Sequence, residues 1–346
     1  MLPMNMDEVT TPWLERALSK TWPGIRISDM SIDLVTHGAA TRARVSFSHE
    51  WSGAGATPPP SVWLKTGFEP HHDYCFPYYR AEVQFYDRLA GLLPVRMPEC
   101  YVAAVQDDPP QATLLLEDLT LSASRFCTPL EPLTVAQAST GLEQLAILHS
   151  FPVEKLAEVG LPPALAGINT ISGFLAEGDA LVQSQRALDG PAAFRDLDLI
   201  ANGLRRLLDV FDRSAPRSLV HGDSHVGNSY LNNRDEICFL DWQGYGLGTY
   251  LLDLPYFLTG ALEINDRRAA EKDLIGFYLA RRNEISGTSL NFADIWDDYR
   301  RATFYGFLMW LGNHDEWQPP AVNAAQHERF NAAMVDHDTI ALLGLS

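Results

Sequence analysis

Three polar side chains that could handle a phosphate group lie close together in the second half of the chain. Asp223 follows His221 and Gly222, Asn228 comes five residues after Asp223, and Asp241 follows a short apolar run. Phosphoryl transfer leaves a protein little covalent chemistry to do, so its site must orient a hydroxyl group, hold Mg²⁺ and neutralise phosphate charge. Mg²⁺ prefers oxygen ligands, often one or two carboxylates with phosphates and water. The pattern therefore predicts Asp223 as the catalytic base, with Asn228 and Asp241 as the metal ligands.

Other catalytic motifs are not satisfied in this sequence. The glycines of residues 244–248 lack the third glycine of a dinucleotide-binding loop, because position 249 is threonine. Val226 stands where a hydrolase nucleophile elbow needs a small residue. No G-x-x-x-x-G-K-[ST] run is present. We interpret His221 as a structural residue of the loop and leave the role of His225 open.

The elements that must position these side chains fall into two groups. Residues 1–118 are rich in period-two apolar patterns and contain one helical pattern, whereas residues 119–346 are mainly helical. The predicted strands cover residues 25–36, 42–47, 62–65, 101–105 and 113–116, and the helix covers residues 79–93. The later helices are predicted over residues 134–149, 191–214, 267–282 and 293–311, with short strands at 219–221, 229–231 and 237–240. The fold class is therefore α+β, with a small antiparallel sheet lobe followed by a larger helical lobe.

The run His221-Gly222-Asp223 with Asn228 and Asp241 resembles the catalytic loop and metal-binding aspartate of the aminoglycoside phosphotransferase and choline kinase superfamily. These are small-molecule kinases with a bilobal protein-kinase-like fold. The resemblance implies that residues 1–118 form the nucleotide-binding lobe and residues 119–346 the catalytic and acceptor-binding lobe. It also implies ATP, or GTP, and Mg²⁺ as cofactors.

The resemblance extends to the first lobe. Lys65, one of four lysines in the chain, stands where the family keeps its phosphate-binding lysine, and Glu82 stands where a helix glutamate pairs with that lysine. Residues 38–41 resemble the loop that covers the nucleotide, although this loop has one glycine where related folds often have two or three. Glu117 and Leu119 resemble the hinge that holds the adenine ring of the nucleotide. The Glu-x-x-Phe-Tyr helix, this hinge and the Asp253-Leu254 tail look closest to the ecdysteroid-kinase-like branch.

Composition limits the partners. The chain has 346 residues and a formal net charge of −18, which repels phosphate backbones and anionic lipid and argues against nucleic-acid or membrane binding. Four scattered cysteines without a C-x-x-C pair are typical of reduced thiols in an intracellular protein. Since neither a signal peptide nor a long apolar run is evident, we expect a cytoplasmic protein. The sequence leaves the oligomeric state open.

The acceptor is predicted less directly. We expect its pocket to be lined by residues after about 255 and by the segment 160–190. The helix pattern after residue 290 carries many aromatic residues, which we interpret mostly as core. It also carries Asp294, Asp297 and Asp298 on one face, which we interpret as solvated rather than as an ammonium pocket. We therefore expect a small, largely apolar hydroxylated acceptor. The alternatives are an aminoglycoside or other antibiotic phosphotransferase, a nucleotide-binding pseudokinase and, with less support, a protein kinase.

Overall fold

A computed structural model describes residues 1–122, 124–156, 160–164, 171, 173, 175, 178–214 and 216–345. The chain divides into two compact units, which are described separately below. Unit 1 contains Met1–Leu92 and Met97–Ser124, and unit 2 contains Leu93–Arg96 and Arg125–Ser346. The predicted α+β class is confirmed, because unit 1 is built on an antiparallel sheet and unit 2 is mainly helical.

Unit 1 contains a five-stranded antiparallel sheet with the order β1-β2-β3-β5-β4. Its strands are β1 (Arg26–Thr36), β2 (Thr41–Glu50), β3 (Ser61–Thr66), β4 (Cys100–Asp107) and β5 (Pro110–Glu117). Along β2 and β3 the side chains alternate between the two faces, as the strand period requires. Val45, Val62 and Leu64 are fully buried in the core on one face, whereas Arg44 and Lys65 lie on the other.

The core face of the sheet is covered by an N-terminal helix that the sequence analysis did not predict, α1 (Thr11–Leu18). The Thr10 hydroxyl caps it by accepting a hydrogen bond from the backbone N–H of Trp13, which satisfies one of the free donors at a helix start. Trp13 and Leu14 pack into the same cluster as the inner strands. Eight residues are too short for a clear helical period, so the packing against the sheet accounts for this helix.

The second helix of unit 1, α2 (His72–Arg88), begins seven residues earlier than the predicted residue 79. Pro77 lies inside it, and a proline there removes one backbone hydrogen bond, which is why the sequence pattern favoured a later start. Burial of Cys75 and Tyr79 on the same face keeps the first turns helical. The earlier start places His71 at the cap position immediately before the first turn.

Unit 2 combines helices with short strands in two small sheets. The strands are β6 (Arg125–Phe126), β7 (Ser218–Val220), β8 (Ser229–Leu231), β9 (Ile237–Phe239) and β10 (Gly246–Gly248), paired as β6-β8-β9 and β7-β10. The helices are α3 (Val135–His149), α4 (Asp179–Val182), α5 (Gln185–Asp189), α6 (Leu197–Arg213), α7 (Leu254–Ala261), α8 (Ile264–Ser286), α9 (Phe292–Gly312), α10 (Pro320–Asp336) and α11 (Thr339–Leu342). The sequence analysis did not predict five of these helices, α4, α5, α7, α10 and α11.

The predicted helix over residues 191–214 is divided in the structure. A 3₁₀ turn covers Ala192–Arg195, and α6 begins after Asp196, whose carboxylate accepts the backbone N–H of Leu199 at 3.0 Å. A carboxylate at the cap position starts a new helix at this point rather than continuing the preceding turn. Within the described ranges, no helix is long and apolar enough to cross a membrane.

Candidate active site

A buried carboxylate supports the loop that follows β7. Asp253, at the start of α7, accepts the backbone N–H of His221 at 2.7 Å and that of Gly222 at 2.9 Å. The ring of His149, at the end of α3, lies 3.0 Å from the same carboxylate through Nε2. Burial by itself opposes ionisation, but the hydrogen bonds and charges of these partners, His149 first, hold the pKa of Asp253 below its ordinary value. Asp253 therefore holds the loop through two backbone N–H groups, independently of the loop's own side chains.

His221 has the structural role that the sequence analysis gave it. Its ring Nε2 lies 3.1 Å from the carbonyl of Leu240, and its Nδ1 lies 3.2 Å from the backbone nitrogen of Asp223. These contacts assign the tautomer, since Nε2 donates to the carbonyl while Nδ1 accepts from the N–H. The ring is buried and joins the end of β9 to the loop. Both ring nitrogens are occupied, so this histidine positions Asp223 and does not exchange protons with a substrate.

Gly222 allows the sharp turn that aims Asp223. Its φ is +80°, in the left-handed region, and a Cβ at this position would lie 2.0 Å from the carbonyl oxygen of Gly244. No side chain can be accommodated there without moving the backbone. The glycine of the motif is therefore required both by its dihedral angle and by a backbone that passes directly against it.

Asp223 and Asn228 form a single hydrogen-bonded unit. The Asn228 amide donates from Nδ2 to the backbone carbonyl of Asp223 at 2.9 Å and to its carboxylate Oδ2 at 3.0 Å. The 3₁₀ turn Val226–Asn228 holds the amide in place, with the backbone N–H of Asn228 donating to the carbonyl of His225 at 2.8 Å. Because the amide nitrogen is used by Asp223, the amide oxygen is the atom that can serve as a metal ligand.

Asp241 is close enough to Asp223 for the two charges to interact. It follows β9 and adopts a left-handed conformation with φ of 65°, which aspartate tolerates better than most residues. Burial raises the pKa of Asp223, and the charge of Asp241 adds to that rise while nearby imidazoles oppose it. The carboxylate of Asp241 and the amide oxygen of Asn228 are donor types that Mg²⁺ selects, so these two residues fit a magnesium ion and leave Asp223 as the base.

His225 is packed tightly beside Asp223. Its Nδ1 accepts the backbone N–H of Gly227 at 3.1 Å, and its Nε2 lies 4.0 Å from Asp223 Oδ1. The ring meets the edge of Trp310 at 5.2 Å between centroids, and burial lowers the pKa of the imidazole. The structure therefore gives His225 a position in the turn that carries Asn228.

In unit 1, the side chains of Lys65 and Glu82 are in contact. Lys65 Nζ on β3 lies 2.6 Å from Glu82 Oε2 on α2, and both side chains are largely shielded from water. A buried ion pair is costly to desolvate and is strongly destabilised when one partner is removed. The pairing matches the sequence expectation, while the contact of either residue with a nucleotide remains a prediction.

The loop between β1 and β2 is held by three side chains that the sequence analysis missed. Glu69 Oε1 accepts the hydroxyl of Thr41 at 2.5 Å and lies 2.9 Å from His37 Nδ1. The Tyr79 hydroxyl donates to the carbonyl of Ala39, and His71 Nε2 lies 3.4 Å from the same oxygen. A loop with one glycine is thus fixed by hydrogen bonds at both its ends. The sequence offers only a weak signal for these contacts, because Glu69 and His71 lie in an irregular stretch whose backbone course cannot be predicted from a residue pattern.

The segment after β5 is organised by Asp118, which lies between the two predicted hinge residues, Glu117 and Leu119. Asp118 is 2% exposed, and its carboxylate accepts hydrogen bonds from five donors. The donors are Ser61 Oγ, Trp63 Nε1, Arg44 Nε, and the backbone N–H and hydroxyl of Thr120. Burial alone would raise the pKa of Asp118, yet these hydrogen bonds hold it below its ordinary value.

The acidic face of α9 is occupied by arginines. Asp297 accepts from Arg300 at 3.1 Å, and Asp298 accepts from Arg301 at 2.8 Å and from Arg213 at 2.7 Å. Asp294 accepts the side chain of Asn291 at the start of the helix. The interpretation of this face as an ordinary surface, and not an ammonium pocket, agrees with these pairs.

The aromatic residues of the same helix are core for the most part, as expected. Tyr299, Phe304, Tyr305, Phe307 and Trp310 are all at most 2% exposed. Trp296 on this helix and Trp317, which follows the helix, are half-buried. Of the segment 160–190, which was expected to contribute to the acceptor pocket, residues 165–170, 172, 174, 176 and 177 lie outside the described residues.

Comparison with known proteins gives one family match and many structural matches. The model of a family described as "APH: Phosphotransferase enzyme family" matches residues 69–286, more than half of the chain. No curated protein sequence matches.

Three of the similar solved structures have different acceptors in their names. The GDP complex of wild-type aminoglycoside 2′-phosphotransferase-IIIa is 14% identical, with 95% of this chain and 99% of that chain covered and a TM-score of 0.54. The macrolide 2′-phosphotransferase of Brachybacterium faecium is 15% identical, with 96% and 98% covered and a TM-score of 0.53. The ethanolamine kinase of Plasmodium vivax is 11% identical, with 98% and 86% covered and a TM-score of 0.55. These likenesses show the fold that the sequence predicted.

Proposed function

This chain belongs to the phosphotransferase enzyme family, and we propose that it transfers the γ-phosphate of ATP or GTP to a hydroxyl group of a small, largely apolar acceptor. The superfamily that the sequence resembled is thereby confirmed, whereas its ecdysteroid-kinase-like branch remains a prediction. The observation that carries the proposal is the Asp223–Asn228 unit, in which one amide orients the catalytic carboxylate and leaves its own oxygen for a metal.

Asp223 acts as the base in this proposal. Its carboxylate orients the acceptor hydroxyl and takes up its proton as the oxygen attacks phosphorus, and the raised pKa of Asp223 favours that transfer. Asn228 and Asp241 would hold Mg²⁺, which neutralises the phosphate charge that develops during the transfer. The hydrogen bond from Asn228 keeps the base in the orientation that the acceptor meets.

The nucleotide is bound in this proposal by residues of unit 1. Lys65 neutralises phosphate charge, and Glu82 limits the ammonium group to one position. Glu117 and Leu119 hold the nucleobase at the hinge, where Asp118 fixes the backbone by accepting the N–H of Thr120. Similar structures were solved with GDP and with ADP, which supports a nucleotide as the donor and leaves the choice between ATP and GTP to experiment.

The class of acceptor is inferred from what surrounds Asp223 in unit 2. The carboxylates of Asp297 and Asp298 on α9 are paired with arginines and are not free to bind an ammonium-rich acceptor. The rings of Tyr256 and Tyr305 pack 5.2 Å apart, and the charge of Asp223 contributes to raising the pKa of both hydroxyls, after burial. Both tyrosines are themselves buried, so they give Asp223 an aromatic surrounding with few charges, which suits an apolar molecule that presents one hydroxyl. The named acceptors of similar proteins range from macrolides to ethanolamine, so the fold does not decide the class.

The location we propose is the cytoplasm. The cysteines Cys75, Cys100, Cys127 and Cys238 are all free thiols, and three of them are buried. Reduced cysteines persist where glutathione and thioredoxin keep thiols unpaired.

A coupled ADP- or GDP-release assay across acceptors tests the proposal. The panel contains aminoglycosides, macrolides, choline, sugars, sterols and hydroxy acids, each with ATP and with GTP. We expect turnover on an apolar hydroxylated compound, and a loss of about 10²–10⁴ in kcat for Asp223→Ala. Asp212→Ala, an exposed acid on α6, serves as the matched control and should keep full activity. Full activity of Asp223→Ala would refute the assignment of the base, and turnover confined to polycationic aminoglycosides would refute the acceptor class.

A further inference from the structure

Two cations stand directly opposite each other in the sheet of unit 1. In the antiparallel pairing of β2 with β3, Arg42 is the partner of Lys65. Residues directly opposite in such a pair place their side chains on the same face, with Cβ atoms about 4.5–5.5 Å apart. Arg42 therefore shares a sheet face with Lys65, and Arg44 lies two residues along on that same face.

The charges of the other two cations on this face are balanced, whereas that of Arg42 is not. Lys65 pairs with Glu82 at 2.6 Å, and Arg44 pairs with Asp118 at 2.8 Å. The exposed guanidinium of Arg42 makes no ion pair or hydrogen bond with any residue in the described part of the chain. Like charges directly opposite in a sheet are destabilising. Water can solvate an exposed guanidinium, but the position of Arg42 opposite Lys65 places a second positive charge on a face where the acids beside Lys65 and Arg44 are already paired.

The guanidinium lies beside the loop that joins β1 to β2. A methyl group placed on Gly38 would be 3.7 Å from Arg42 Nη2. The Thr36 hydroxyl contacts the carbonyl of Arg42 at 3.5 Å, and Glu69 and Tyr79 hold the next residues of the loop. The position of this cation is thus tied to a loop whose conformation is itself fixed.

We propose that Arg42 is a second phosphate-binding cation, which contacts the phosphate chain of the nucleotide together with Lys65 beneath the loop between β1 and β2. The inference rests on the proposed function and adds a residue to it. A guanidinium offers a planar fork of N–H donors that matches two phosphate oxygens, whereas the ammonium of Lys65 acts as a point charge. Bound phosphate would supply the negative charge that the protein omits at this position.

Binding of a nucleotide series to the full chain tests the inference. Calorimetric titration would compare adenosine, ADP and a non-hydrolysable ATP analogue, or the guanosine series if the wild type prefers it. We expect Arg42→Gln to weaken the phosphorylated nucleotides about tenfold to a hundredfold and to leave nucleoside binding unchanged. Arg42→Lys should lose less affinity than Arg42→Gln, since it keeps the charge without the fork. The matched control is Arg16→Gln on α1, on the core side of the sheet, and it should bind like the wild type.

Thermal unfolding without ligand is a second measurement, and its expected result differs from that of a purely structural role for Arg42. Because Arg42→Gln removes a like charge opposite Lys65, we expect its melting midpoint to equal or exceed that of the wild type. Unchanged affinity for the phosphorylated nucleotides, or an equal loss for nucleoside and nucleotides with a lower melting midpoint, would overturn the role of Arg42 alone. A wild-type chain that binds no nucleotide would overturn the proposed function and this inference together.

Discussion

The buried carboxylate of Asp253 offers the sharpest test of how the catalytic loop is held. Its two oxygens accept from the backbone of His221 and Gly222 and from the ring of His149, and every one of these partners is a donor. In Asp253→Asn one oxygen becomes an NH₂ group, so that a donor must face a donor. The shape of the side chain is retained, which separates the effect of the hydrogen bonds from that of packing.

The magnitude follows from the number of bonds affected. At least one hydrogen bond to a charged acceptor is lost, worth about 1.5–3 kcal/mol, and a buried N–H is left unsatisfied at a further cost of about 1–3 kcal/mol. We expect Asp253→Asn to reduce the free energy of unfolding by about 3–5 kcal/mol, a large share of the roughly 5–15 kcal/mol that stabilises a domain. The loop carries Asp223, and a displacement of about 1 Å at a reacting group costs on the order of 10²-fold in rate. We therefore expect kcat to fall by about that factor.

Urea unfolding and steady-state kinetics at neutral pH measure the two effects. Asp273→Asn, an exposed aspartate on α8, is the matched control and should leave both unchanged. The folded pKa of Asp253 is depressed, so its stabilisation is fully present above the unfolded pKa of about 3.9 and is lost as the pH falls through the folded value. The acid side of the stability profile should be flatter in Asp253→Asn. A variant with wild-type unfolding free energy and kcat would refute the idea that this carboxylate holds the loop.

Two further predictions concern unit 1. Tyr79→Phe removes the hydroxyl that binds the Ala39 carbonyl but keeps the ring, so we expect the KM for nucleotide to rise about fivefold in steady-state assays, in line with the loss of one neutral hydrogen bond. The control Tyr78→Phe should leave this KM unchanged. An equal rise in both variants would contradict the role of the loop contact. Leu14→Ala leaves a cavity at a fully buried position under the sheet and should lower the free energy of unfolding by about 2–5 kcal/mol in urea titrations. The control Leu92→Ala, at a site 54% exposed, should change that free energy by less than about 0.5 kcal/mol. Similar losses in the two variants would show that burial does not determine the loss of stability.

Residue type and spacing were sufficient for the parts of the site that are continuous in sequence. The run from His221 to Asn228 constrains itself through short-range hydrogen bonds, so the order of residues already implies the loop. The strands of the first lobe were likewise predicted because their apolar residues alternate along a sheet that is buried on one face.

The residues that were missed act across long distances in sequence. Asp253 contacts backbone groups thirty or more residues away, and Asp118 collects donors from β2 and β3 that no local pattern connects to it. Helix α1 is short, and its burial against the sheet, not its period, identifies it. Such contacts exist only after the chain has folded, so they are consequences of tertiary structure and not of local propensity.

The short segment Leu93–Arg96 has a consequence for dissecting or recombining this enzyme. It belongs to unit 2, where the guanidinium of Arg96 lies 3.1 Å from Glu236 and its backbone N–H donates to Gln144, although the residues on both sides of it belong to unit 1. A single cut after residue 124 would leave these four residues on the wrong fragment. A chimaera that exchanges one unit with a relative must therefore graft two separate stretches of gene, and fragments expressed from a single cut should complement each other poorly.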